Sequence, residues 1–153
     1  MLLNIIIGFI IPWIIATPLF LKFKKNVLLI APFAAMISLL FNVIGIQLGW
    51  WLIQPFKYEV IATIPIDLGL YPVMAIYLTV LFEKIKGRYL LLVLLFTLLT
   101  TFLEFIAVIF DYVLYSNGWN IGYTFISYLI PYFLVYLYYI KYVKKLSFTY
   151  NEL

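Results

Sequence analysis

LTVLFEKIKGRYLLLVLLF, residues 78–96, sets the reading of the whole chain. Two apolar runs meet at EKIKGR (83–88), a short turn with three basic side chains and Gly87 to reverse the chain. Each run extends to about the 20 residues that a helix needs to cross a bilayer core. Working outward, five such stretches emerge, at about 3–21, 27–49, 61–82, 89–113 and 121–140. The 153 residues are 67% hydrophobic, 21% aromatic and only 10% charged, with a mean hydropathy of +1.15. Soluble domains carry roughly 25% charged residues, so this chain has too little polar surface for water and lipid must serve as solvent. The expected fold is all-α: a polytopic bundle of five transmembrane helices forming one integral membrane domain over 1–153. The first stretch has no basic segment before it, since the first charge is Lys22, and no small-residue cleavage site follows. It reads as a retained helix rather than a secretory signal.

Charge gives an orientation. The connections LKFKKN, WWLIQPFKYE, EKIKGR and YSNGWN and the tail KYVKK contain 3, 1, 3, 0 and 3 basic residues. Nine of ten therefore fall on one side, which the positive-inside rule makes cytoplasmic, with the N-terminus outside and the C-terminus inside. No basic cluster exceeds three charges, which argues against a nucleic-acid surface.

Several features interrupt the helices. Pro12 and Pro18, Pro32, Pro65 and Pro72, and Pro131 each remove a backbone hydrogen bond and favour kinks. GIQLG (45–49) and GWNIG (118–122) have the spacing of close helix contacts, but their positions near helix ends suit turn or end-of-helix duty better. Asn117-Gly118 is expected to make the tight turn between the last two helices. Trp50, Trp51 and Trp119 fit an interfacial aromatic belt.

Ionisable groups inside spans are the functional candidates. Asp67 lies about 9 Å, and Glu104 about 14 Å, below the outer ends of their helices at 1.5 Å per residue. Asp111 follows Glu104 by seven residues, placing both on one helix face, with Thr97, Thr100 and Thr101 extending the stripe. Tyr71 stands four residues after Asp67. No basic residue shares this depth, so the carboxyls need protons, water, hydroxyl or amide donors, or an external cation. Asp67, Tyr71, Glu104, Asp111, Tyr112, Tyr115, Trp119 and Asn120 are thus expected to form an outward-facing acidic and aromatic pocket, with Asn42, Gln47 and Tyr123 as further polar lining. Carboxylates and rings both attract positive charge. A plainer alternative stays open: Asp111 as an interfacial residue, and Asp67 and Glu104 as interhelical hydrogen-bonding groups.

The chain contains neither Cys nor His, which excludes disulfides, a conventional zinc site and Cys-His or Ser-His catalysis. No phosphate-binding loop is present, and no cofactor or metal is expected. The leading expectation is a protein that binds or moves a cation or cationic small solute. The alternatives are a noncatalytic accessory subunit packed against a membrane partner or a second copy, and an acid-base enzyme acting on a lipid or isoprenoid.

DLGLYPVMAIYLTVLF (67–82), FLEFIAV (102–108) and YSNGWNIGYTFISYLIPYFLVYLYYIKYVKK (115–145) carry a resemblance. Together they resemble a family of small, uncharacterised multi-pass membrane proteins from Bacillus-like and Clostridium-like bacteria. Its members show a Tyr-Pro in a middle span (here Tyr71 and Pro72), an acidic residue in the next (Glu104) and a Gly-Trp-Asn before the last (Gly118, Trp119, Asn120). The resemblance covers the second half of the chain. It implies a bacterial plasma-membrane location and transfers no catalytic residue.

Overall fold

The computed structural model describes residues 1–145 and contains five helices long and apolar enough to cross a membrane. These are α1 (Leu2–Lys22), α2 (Lys24–Gln47), α3 (Phe56–Lys84), α4 (Tyr89–Ile109) and α5 (Ile121–Val143). The single-domain expectation also took in 146–153, which lie outside the described residues. Two three-residue strands, β1 (Trp51–Ile53) and β2 (Val113–Tyr115), pair antiparallel with Trp51 opposite Tyr115 and Ile53 opposite Val113.

These strands correct the sequence reading, which ran the fourth helix to 113 and made both connections simple loops. The helix stops at Ile109 because Asp111 adopts φ 53° and the chain folds back on itself. Tyr112 N–H bonds to the carbonyl of Ala107 and Asp111 N–H to that of Val108, closing a left-handed helix cap. The α2 end repeats the device with Gly49 at φ 67° and Trp50 N–H on the Gly45 carbonyl. Residues 51–53 and 113–115 then emerge side by side, and their buried side chains Trp51, Ile53 and Val113 form a small satellite core. Asn117 (φ 49°) and Gly118 (φ 75°) make the expected tight turn, with Trp119 N–H on the Ser116 carbonyl.

Helix α3 is the hub. Its Leu70–Lys84 part packs against all four other helices, and Val73, Ala75, Ile76, Leu78, Thr79, Val80 and Phe82 are buried. The other helices turn one apolar side outward, as Leu90, Leu94, Leu98 and Phe102 do on α4. Helix α3 is broken at Gly69 (φ −124°, ψ −79°), where α1 crosses. A Cβ on Gly69 would lie 2.1 Å from the Gly8 carbonyl oxygen, so both backbones meet where neither carries a side chain. The close helix approach is therefore Gly8 against Gly69, not either of the spaced glycine pairs. Gly45 instead makes a notch for Trp51, whose ring atoms stand 2.1 Å from where its Cβ would be. Five residues of α1, Ile6–Ile10, widen into a π-turn just before Pro12.

The two ends of the bundle differ. At one, Asn26 donates to Glu83 (2.9 Å) and the Lys144 amine lies 5.6 Å from the Tyr89 ring. These contacts gather the α2 start, the α3–α4 turn and the α5 end, and with them nine of the ten basic residues. The other end carries the ribbon and Lys57. There Trp50 and Trp119 stack at 4.7 Å and Trp51 approaches Trp119 at 4.8 Å. Trp51 is buried and Trp50 and Trp119 are half-buried, so the three pack as a cluster over the ribbon.

Candidate functional site

Glu104 sits on α4 about 7.5 Å from its ribbon-side end at 1.5 Å per residue. Its carboxyl collects donors from two other elements. Tyr115 of β2 donates to Oε1 (2.6 Å), Thr124 of α5 donates to the same oxygen (3.3 Å), and Tyr128 of α5 donates to Oε2. The Tyr115 hydroxyl also lies 2.7 Å from Thr124 Oγ1, the Trp119 indole N–H donates to that Oγ1 (2.9 Å), and the Tyr71 and Tyr128 hydroxyls are 2.7 Å apart. Burial pushes the Tyr115 hydroxyl up from its ordinary value and the neighbouring Glu104 carboxyl adds to this, which keeps Tyr115 a donor. A carboxylate offers about four acceptor positions, and hydroxyls take three of them here. Hydroxyl donors satisfy hydrogen bonding but leave the charge itself uncompensated.

Asp67 is fully buried on the short Ile64–Leu68 segment of α3. Trp51 Nε1 donates to Asn42 Oδ1 (3.0 Å), and Asn42 Nδ2 donates to Asp67 Oδ1 (2.7 Å), a relay from β1 through α2 to α3. Asp67 Oδ2 has no hydrogen-bond partner among the described residues.

Two cavities adjoin this network. A small one of about 60 Å³ is lined by Ser38, Asn42, Tyr71, Glu104, Tyr128 and Tyr132 among others. Its volume admits a few waters, each needing about 10–15 Å³. The buried Tyr132 hydroxyl on its wall also has no partner among the described residues. A large one of about 790 Å³ lies between α1, α3 and α4, is mostly apolar, and is again bordered by Tyr71, Glu104 and Tyr128. With Ile53 and Val113, these three residues form the partition between the two spaces.

The expected site residues separate accordingly. Tyr71 and Glu104 border both cavities, and Tyr112 borders the larger, where its hydroxyl donates to Asn4 Oδ1 (2.7 Å). Asp67 borders neither. It stands behind Asn42 and Ser38, with the Ser38 hydroxyl on its carbonyl and the Asn42 amide on its carboxyl. Asp111 does not share a face with Glu104: it lies past the helix end, exposed, with its carbonyl accepting from Gln54. Trp119 lies outside both linings, against Trp50 and Trp51. Asn120 is the exposed N-cap of α5, accepting from the N–H groups of Gly122 and Tyr123. Thr97, Thr100 and Thr101 are buried and spend their hydroxyls on carbonyls of their own helix.

Sequence reasoning missed Tyr128, Thr124 and Asn4. Asn4 donates to the carbonyls of Gln54 and Ala62, both at 2.7 Å, pinning the start of α1 to the segment leading into α3. Its polarity in an apolar run was a usable signal; Tyr128 is one of 14 tyrosines and nothing local distinguishes it.

The fold and site together define a five-helix bundle of membrane-spanning proportions with a hydroxyl-bound carboxylate between two cavities. No family model, curated protein or solved structure matches the chain.

Proposed function

We propose that this is a small multi-pass protein of a bacterial plasma membrane that binds or moves a cation or cationic small solute, with Glu104 as the counter-charge. One observation carries the reading: Glu104 is the acidic side chain bordering both cavities, and its hydrogen-bond partners among the described residues are all neutral hydroxyls. A carboxylate in such surroundings calls for a proton or a cation, and the two compete for one charge. The Tyr71 and Tyr128 rings, 5.7 Å apart beside it, present faces that attract an organic cation. The ribbon end is taken as external, because nine of the ten basic residues gather at the opposite end.

Titration of nanodisc-embedded protein with tetramethylammonium and with alkali cations tests this. Saturable binding that weakens as pH falls, is lost in Glu104→Gln and persists in Asp111→Asn is the expected result. Equal binding by wild type and Glu104→Gln would remove Glu104 from the function. A noncatalytic accessory subunit is the second reading, favoured by the large cleft, whose open side is apolar enough to seat a partner helix.

A further inference from the structure

The space beside Glu104 is far larger than a small cation fills. At about 790 Å³ it falls within the roughly 300–1,000 Å³ of sites that enclose a whole organic ligand. Its shape follows from the helix crossing. Helix α1 is drawn against α3 at Gly8 and Gly69, while α4 packs chiefly on α5, so the outer parts of α1 and α4 diverge. The Tyr112 hydroxyl on Asn4 bridges the divergence at the ribbon end.

The opening is lateral. Ile7, Ile11 and Ile15, spaced four apart along α1, Leu103 of α4 and Phe110 just past its end line the cleft and are themselves exposed. All lie in or beside segments that a bilayer would cover. A bare hydrated ion gains nothing from this rim, because it offers no oxygen ligands. An alkyl chain loses nothing on moving from lipid to the rim, since both are apolar. Selection then rests on the head, and among the described residues the single charged side chain on the lining is Glu104. One acceptor position of its carboxylate stays free of hydroxyl donors, and the two tyrosine rings stand beside it.

We propose that the ligand is a single-chain cationic amphiphile, whose alkyl chain lies in the cleft between α1 and α4 and whose ammonium head pairs with Glu104. It enters sideways from the bilayer. This rests on the reading of Glu104 as a cation's counter-charge and adds the apolar body and the route.

Binding of dodecyltrimethylammonium, dodecanol and tetramethylammonium to the protein in phosphatidylcholine nanodiscs provides the test, with empty nanodiscs subtracted to remove partitioning. Dodecyltrimethylammonium is expected to bind saturably and dodecanol not. Ile11→Trp, which adds bulk at an exposed rim position, should weaken the long-chain cation at least tenfold and leave tetramethylammonium within twofold. Unchanged thermal melting of Ile11→Trp shows that the loss is local. If both cations bind alike and Ile11→Trp affects neither, the amphiphile is overturned while the cation site stands. If neither shows Glu104-dependent binding, both readings fall. Crosslinking from Ile11→Cys to a stoichiometric membrane partner would likewise overturn the proposal, by showing a protein segment in the cleft.

Discussion

Replacing Gly69 with alanine tests the crossing that shapes the cleft. The new Cβ would stand 2.1 Å from the Gly8 carbonyl oxygen and 2.5 Å from Phe9 Cα. Relief to an ordinary contact of about 3.4 Å requires α1 and α3 to separate by about 1.3 Å along that line. The obstacle is backbone, so no rotamer change absorbs it. Overpacking costs about 1–3 kcal/mol, and a rigid obstacle belongs at the upper end. Against this, alanine restricts the unfolded chain and returns about 0.4–1 kcal/mol. The net loss is about 2–2.6 kcal/mol, a fall of roughly 4–10 °C in Tm for a chain of this length. Neighbouring links between the same helices should weaken as well: the Trp13 indole on the Leu68 carbonyl (2.9 Å) and the Tyr77 hydroxyl on the Ile15 carbonyl (3.2 Å). Thermal unfolding in detergent micelles, followed by circular dichroism and by tryptophan emission, measures the effect. Leu98→Ala, on the outward face of α4, is the control and should change stability by no more than about 0.5 kcal/mol. A Gly69→Ala protein melting within 1–2 °C of wild type would show that α1 does not cross α3 there, and the account of the cleft would go with it.

Asn42→Leu strands both the Trp51 N–H and Asp67 Oδ1, and should cost about 2–4 kcal/mol; adding Asp67→Leu should recover part of that, and a strictly additive double mutant would refute the relay. Tyr128→Phe removes a donor to Glu104 and the link to Tyr71. Its expected cost is about 1.5–3 kcal/mol by chemical denaturation, with weaker tetramethylammonium binding, and a neutral result would detach Tyr128 from the network. Single cysteines at Tyr58 and Asn117 should react with an impermeant thiol reagent on intact cells, while those at Lys24, Lys86 and Lys144 should not. External labelling of Lys86→Cys would invert the proposed orientation.

The apolar lengths and scarce charge settled the number of spans, because a helix that meets lipid must satisfy its backbone within itself and so writes its extent into consecutive residues. Gathering of the basic residues at one end follows from the same alternation of spans and turns. Chain reversals with a glycine or Asn-Gly signal were also legible, at Gly49, Gly87 and Asn117-Gly118. The stop at Asp111 was not, since an aspartate enters the left-handed conformation far less readily than glycine and here leads straight into the ribbon. That early stop is why Asp111 left the face of Glu104. The break at Gly69 was not legible either, because it lies where α1 meets α3 backbone to backbone. Sequence placed carboxyls in the spans and required that they find partners. Which partners they found, with Glu104 taking hydroxyls from β2 and α5 while Asp67 took an amide from α2, was decided by tertiary packing. The contacts join residues 11 to 25 positions apart on separate elements, and no helical period relates them.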